Sequence, residues 1–194
     1  MYKNTDITQI SPGTFKRLRK DLQIIFQDPY SSLNPRITVG SAILEPMKVH
    51  KLHGFNAARK GKVMELLNLV GLKEEHYFRY PHEFSGGQRQ RICIARVLAV
   101  EPKLIICDES VSALDVSIQA QVLNLLNELK RKLGLTYVFI SHDLSVVRFM
   151  ADRLIVMKNG KIEETGEADA VFTNPQSEYT RMLLAAIPET NFKN

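Results

Sequence analysis

Leu104-Ile105-Ile106-Cys107 is an unbroken apolar run that ends in two adjacent carboxylates, Asp108 and Glu109. A short continuous apolar run of this kind reads as a buried strand. A carboxylate at its end is costly unless a cation or hydrogen bonds accept it. The run therefore calls for a sheet whose strand delivers charge into a polar site. Downstream, a helical stretch over 118–132, an apolar run over 136–141 and a second helical stretch over 144–150 follow in turn. Such alternation predicts parallel strands with crossover helices, an α/β fold. Upstream, Leu22-Gln23-Ile24-Ile25-Phe26 reads as another short strand, ended by Gln27-Asp28-Pro29.

Phe84-Ser85-Gly86-Gly87-Gln88 is a glycine-rich turn opening an amphipathic helix over 86–98. A helix start carries unpaired N–H groups and a partial positive charge, so the Ser85 hydroxyl and the backbone at Gly86 and Gly87 suit a polyphosphate. A β-carbon at the glycines would hold the phosphate away. Val39, Ile43, Leu44 and Met47 fall at helical spacing, and Val63, Leu66, Leu67 and Val70 continue a second helix that stops at Gly71. With the helix over 86–98 they form a helical insertion between two strands. Asn159-Gly160 between two apolar stretches is a hairpin signal, since both positions tolerate positive φ. Two further helices are expected around 168–172 and 178–186, separated by Asn174-Pro175.

The 194 residues suffice for one domain, and 44% hydrophobic with 24% charged residues is ordinary for a globular chain. No apolar run approaches the length that spans a bilayer, and the first residues lack the apolar core of a secretory signal, so a cytoplasmic location is expected. Cys93 and Cys107 stand apart, outside any metal-ligand spacing, and read as small buried hydrophobes. The net charge of +5 comes with two short basic runs, Lys16-Arg17-Leu18-Arg19-Lys20 and Lys130-Arg131-Lys132. Neither is accompanied by an aromatic platform or a reading helix, so nucleic acid is not expected as a partner. Attraction to anionic lipid headgroups suits a mild positive excess better.

Taken alone, each polar residue has a plain alternative. Asp108-Glu109 could cap a helix beyond a strand, Gln27 could be a turn residue, His142 a helix-start histidine and Asp115 an ordinary N-cap. Together they carry a resemblance. Phe84 to Gln88 is similar to the signature motif of ATP-binding cassette proteins, and Leu104 to Glu109 to their Walker B strand with its catalytic Glu. Gln27 matches the Q-loop, Ser112-Ala113-Leu114-Asp115 the D-loop, and His142 the switch histidine, all in the family's order. The resemblance implies a P-loop NTPase-like, mostly parallel core sheet with an inserted helical subdomain. It divides the chain into a Q-loop strand and turn (1–36), a helical subdomain with the signature (37–100), a core with Walker B, D-loop and switch histidine (101–165) and a C-terminal helical extension (166–194).

The same resemblance implies ATP and Mg²⁺ as ligands. Asp108 would hold Mg²⁺ through water, with Gln27 meeting the metal, the attacking water and the γ-phosphate. Glu109 would orient or deprotonate that water, and His142 would contact the γ-phosphate. Ser85, Gly86, Gly87 and Gln88 would face the nucleotide held by a second ATPase subunit packed head to tail, with Asp115 at the seam. Arg89, Gln90 and Arg91 read as structural or solvated. Ser110 stands where the family often has proline, which loosens that turn without removing a reacting group.

One family motif has no match: Gly-x-x-x-x-Gly-Lys-Ser/Thr does not occur, and Gly54 is followed by Arg59-Lys60-Gly61-Lys62 at the wrong spacing, with Val63 in place of the hydroxyl. The chain therefore reads as an N-terminally truncated cassette, through a shortened gene, an internal start, a split gene or an engineered cut. On that reading the isolated chain is inactive and poorly soluble, with Leu104 to Cys107 left with unpaired backbone groups beside an absent strand. The runs Gln27-Asp28-Pro29-Tyr30-Ser31-Ser32-Leu33-Asn34-Pro35-Arg36 and Tyr80-Pro81-His82-Glu83, with the tail from Asn174-Pro175 to Tyr179-Thr180-Arg181, resemble ATP-binding subunits of dipeptide and oligopeptide importers. Nickel importers share much of the pattern, and a non-catalytic remnant or split-gene half is the other alternative. A DNA-repair or chromosome-associated ATPase would show zinc-type cysteines or a long heptad insertion, which the sequence lacks. The importer reading implies integral membrane permease subunits as partners, an extracytoplasmic substrate-binding protein indirectly, and a peripheral place on the cytoplasmic face of the membrane.

Overall fold

A computed structural model describes Tyr2 and residues 6–186. Contacts divide the chain into two compact units, Met1–Ile140 and Ser141–Asn194.

The first unit begins with a helix that the sequence pattern did not announce, α1 (Pro12–Asp21). Ser11 caps it by accepting from the Thr14 N–H, Pro12 stands in its first turn, and Arg19 and Lys20 in its last turn complement the helix dipole. It leads directly into β1 (Leu22–Ile25). A polar loop follows, tied by the Asp28 carboxylate, which accepts from the N–H groups of Tyr30 at 2.8 Å and Ser31 at 3.3 Å. The helical insertion contains α2 (Val39–Val49), capped by Thr38, and α3 (Asn56–Leu69). The second of these starts seven residues before its first buried apolar side chain, Val63, because its opening turns run past the core. Two 3₁₀ turns, Glu74–Phe78 and Pro81–Glu83, then deliver the chain to α4 (Gly86–Leu98).

Helix α4 is the hub of this unit. It buries Ile92, Cys93, Ile94, Ala95, Val97 and Leu98, and packs against α2, α3 and β1. Its arginines hold the surrounding loops. Arg89 Nε donates to Pro81 O at 2.8 Å, Arg91 Nη1 to Val70 O at 2.9 Å, and Arg96 Nη1 to Ser32 O. Gln90, expected to be structural or solvated, is 1% exposed and so lies in the core.

Beyond it come β2 (Leu104–Asp108), α5 (Val116–Leu133) and β3 (Thr136–Ile140). Gly134, at φ 64°, ends α5 in the left-handed conformation that glycine adopts without penalty. The three strands form a parallel sheet in the order β1-β2-β3. This overturns the expectation that Leu104 to Cys107 carry unpaired backbone groups. β2 is the central strand, bonded on both sides, and Ile105 and Cys107 are fully buried. The exposed apolar surface lies instead on the flanking strands, where Ile24, Val138 and Ile140 are 41%, 46% and 47% exposed. Burial pushes the Cys93 and Cys107 thiols up to about 11 and about 12, so both are inert, protonated core side chains.

The second unit contains α6 (Leu144–Met150), the antiparallel pair β4 (Arg153–Lys158) and β5 (Lys161–Glu167), then α7 (Ala168–Thr173) and α8 (Glu178–Ala185). Asn159 at φ 49° and Gly160 at φ 76° make the two-residue turn between the strands, as their identities require. The Glu164 carboxylate accepts from the N–H groups of Gln176 at 2.8 Å and Ser177 at 3.0 Å, tying the start of α8 to β5. No described helix is long and apolar enough to cross a membrane.

Candidate functional site

Parallel strands bring their C-terminal ends to one edge of a sheet. The register Ile25↔Cys107 places Gln27, two residues on, at the same edge as Asp108 and Glu109. Asp108 closes β2 with an exposed carboxylate. Glu109 then takes φ 45°, a left-handed conformation that for a non-glycine residue costs on the order of 1–3 kcal/mol. Both of its backbone groups are held. Its N–H donates to Ile140 O at 3.0 Å, and its carbonyl accepts from the Ser112 N–H at 3.0 Å and the Ser112 hydroxyl at 2.9 Å. The same hydroxyl accepts from Gln27 Nε2 at 3.3 Å. Ser110, whose lack of a proline ring suggested a looser turn, is buried inside this closed loop.

The second cluster sits at the start of α4. Ser85 is its N-cap: the hydroxyl accepts from the Gln88 N–H, and the Gln88 carboxamide accepts from the Ser85 N–H at 3.1 Å. This capping box satisfies two donors of the helix start and leaves the Ser85 hydroxyl proton to donate outward. Gly86 is exposed, and a β-carbon there would meet only Leu114 Cδ2, at 3.5 Å. Gly87 differs. It is buried, and its β-carbon would stand 2.3 Å from Ile118 Cγ2. Gly87 therefore has a packing reason of its own to be glycine: its lack of a side chain lets α4 approach α5.

Asp115 occupies the N-cap position of α5 but makes no side-chain cap bond, and Val116 beside it is 85% exposed. His142 lies in the second unit, two residues beyond β3. The helix start there is capped by its neighbour: Asp143 Oδ1 accepts from Ser145 N–H at 2.8 Å and Val146 N–H at 3.4 Å. Within the first unit, then, Gln27, Asp108 and Glu109 share one sheet edge, and the turns at Gly86 and Leu114 touch.

Three connections were not legible in the pattern. Ser112 links Gln27 to Glu109. The Tyr30 ring lies under the Arg89 guanidinium, 4.3 Å from its centroid, and Cys93 Sγ approaches Pro29 O at 3.9 Å. These contacts, with Arg96 on Ser32, bind the loop after Gln27 to α4 across 59 to 64 positions of sequence. No spacing rule singles out such pairs.

A groove of about 700 Å³ opens on the helical insertion, lined among others by Ile37, Leu44, Glu45, Lys48, Lys60 and Tyr77. Gly40 permits the close approach of the Tyr77 ring, because a β-carbon there would stand 2.4 Å from it. Lys60 Nζ lies 5.5 Å and 5.3 Å from the centroids of the Tyr77 and Phe78 rings.

Comparison with known proteins adds to this geometry. A family model described as ABC transporter matches residues 1–112. The chain is 57% identical over 189 residues to the glutathione import ATP-binding protein GsiA of Escherichia coli (strain K12) and 55% identical over 188 residues to that of Salmonella paratyphi A. Each match takes in 97% of this chain and 30% of the relative, so the chain spans about a third of the length of these relatives. Among solved structures, cbiO1 from Clostridium perfringens, part of the transporter complex cbiONQ, superposes with a TM-score of 0.76 at 30% identity, covering 92% of this chain and 68% of the other. The ATP-binding cassette MJ0796, in a dimeric post-hydrolysis state bound to ADP and Pi, superposes with a TM-score of 0.71 at 30% identity, covering 86% and 71%.

Proposed function

The chain belongs to the ABC transporter family, and on that premise we propose that it forms part of an ATP-hydrolysing subunit that powers import of peptides across a membrane. The observation that carries this reading is the shared strand edge, where Gln27, Asp108 and Glu109 converge and Glu109 is held in a strained conformation at both backbone groups. Strain maintained by surrounding bonds is common at reacting sites.

The donors at this edge suit Mg²⁺. Among the described residues no cluster of three or more His, Cys, Asp or Glu could cage a metal. One carboxylate and one amide are what a cation needs when it keeps several waters and takes its other ligands from phosphate. Asp108 would hold the ion through water and Gln27 would meet it from β1. When bound, Mg²⁺ supplies charge neutralisation at the phosphates. Glu109 orients a water molecule and accepts its proton, and His142 donates to the terminal phosphate. Ser85 Oγ and the backbone at Gly86, at the positive end of a 13-residue helix, face the nucleotide of a second ATPase subunit packed head to tail. Asp115, with no cap bond to make, stands at that seam. The 194 residues contain no Gly-x-x-x-x-Gly-Lys-Ser/Thr, so the phosphate cradle must come from another segment.

Peptide import rests on the relatives' description as glutathione import proteins. Integral permease subunits are the partners such a role requires, with a binding protein beyond them and a peripheral position on the cytoplasmic face. The groove lined by Ile37, Leu44, Glu45, Lys48, Lys60 and Tyr77 is the place offered for a permease segment. Lys60→Glu would weaken copurification with permease; unchanged copurification would remove the groove from the reading.

The ATPase assignment is tested in a cassette assembled from this chain and a phosphate-binding-loop segment, with phosphate release as the assay. Glu109→Gln keeps the shape and loses the base, so turnover falls by roughly two to four orders of magnitude while ATP stays bound. Unchanged turnover would remove Glu109 from the role.

A further inference from the structure

Ser112 stands between two of the residues just assigned, and it has one hydroxyl proton to give. That proton goes to Glu109 O, at 2.9 Å, while the oxygen accepts from Gln27 Nε2 at 3.3 Å. A serine hydroxyl is one donor and two acceptors, so the two bonds do not compete. They reinforce each other, because an incoming bond polarises the O–H and strengthens the bond it donates. The carbonyl that receives it belongs to Glu109, held at positive φ directly after β2, whose other backbone bond runs to β3. The link is open to change, since Gln27 and Ser112 are both exposed and both lie beyond the paired register of β1 and β2, which runs to Ile25↔Cys107.

We propose that Ser112 is a positioning residue that couples the amide of Gln27 to the backbone of Glu109 through its hydroxyl; this rests on the reading of Gln27 as the phosphate sensor and Glu109 as the catalytic carboxylate. When the Gln27 amide turns to a ligand, the hydroxyl loses its incoming bond. Its hold on Glu109 O weakens, and the strained residue gains freedom to re-aim its carboxylate. Gln27 released and Glu109 released are thus one event. The turn's neighbours offer no substitute: Ala113 and Leu114 carry no side-chain donor, and the Ser110 side chain is buried.

The test is a double-mutant cycle on the full chain, read without nucleotide. Backbone hydrogen–deuterium exchange at position 112, resolved to the single residue by mass spectrometry, reports the N–H bonded to Glu109 O. Gln27→Ala should speed that exchange by roughly two- to tenfold, the range expected from weakening one hydrogen bond. In the Ser112→Ala background the same Gln27→Ala change should have no further effect, and Ser112→Thr, which keeps the hydroxyl, should restore the response. An equal response in both backgrounds, no response in the parent chain, or no rescue by threonine would each overturn the relay. Because no turnover enters the readout, failure of the relay is told apart from failure of the ATPase reading, which stands or falls on Glu109→Gln.

Discussion

Gly86 and Gly87 are adjacent, yet they are glycines for different reasons. A methyl at Gly86 meets Leu114 at an ordinary 3.5 Å, whereas one at Gly87 would stand 2.3 Å from a methyl of Ile118. Gly87→Ala therefore forces α4 and α5 apart and should cost roughly 1–3 kcal/mol, the usual price of overpacking. Gly86→Ala should leave the denaturation midpoint nearly unchanged and act on function alone. Chemical denaturation of the two variants checks this, and equal midpoints would show that the helix contact yields. The sequence marked both positions as a glycine turn, but only the neighbour across the helix pair separates them. Glu109 is similar: its identity and its place after an apolar strand were legible, whereas its positive φ follows from Ile140 and Ser112, which no local pattern connects to it.

At the level of elements, the 3₁₀ turn Glu74–Phe78 leads through the second 3₁₀ turn, Pro81–Glu83, to α4, and it is built around one histidine. His76 is buried, its Nδ1 accepts from the Lys73 N–H at 3.2 Å, and its ring meets Phe84 edge-on at 5.0 Å between centroids. Burial holds its pKa below the ordinary 6.5, and the Arg79 guanidinium adds to the shift. A depressed folded value means the folded state binds fewer protons than the unfolded one in the interval between the two pKa values. The stability of neutral His76 is thus present above about 6.5 and lost as pH falls through the lower folded value. The thermal midpoint should drop on going from neutral pH to mildly acidic pH, and His76→Gln, which can accept the same N–H without titrating, should flatten that drop. A drop of the same size in the variant would assign it elsewhere.

For the molecule as a whole, the question is what these 194 residues do unaided. They contain strand-end carboxylates, a sensing amide and a signature turn, but no phosphate-binding loop. Groups that act on the terminal phosphate and on water contribute little ground-state affinity compared with a backbone cradle and its lysine. Calorimetric titration of the chain with Mg-ATP should give no saturable binding in the micromolar range, and phosphate release should be absent. Micromolar affinity with Glu109-dependent turnover would show that the chain carries a cradle of another kind. The row Ile24, Ile106, Val138 across the sheet, partly open to solvent, is the surface by which the isolated chain should self-associate.

The residues of the candidate site were named by the family resemblance, while apolar periodicity, the two glycine signals and the carboxylates after an apolar run sufficed for the α/β class, the helical insertion and the Asn159-Gly160 hairpin. Each of these depends on preferences that act over a few positions: burial of a continuous run, a capping hydroxyl, or tolerance of positive φ. Helix α1 escaped because its stripe consists of only Phe15 and Leu18 set among basic residues, too little apolar content to stand out. Strand order could not be read at all. Nothing local in Leu104 to Cys107 says that β1, some eighty residues earlier, lies on one side and β3, some thirty residues later, on the other. That pairing made β2 central and moved the exposed apolar surface to its flanks. It also set Gln27 beside Glu109, with Ser112 between them, because contacts between distant segments arise from packing the whole chain and not from any preference of its parts.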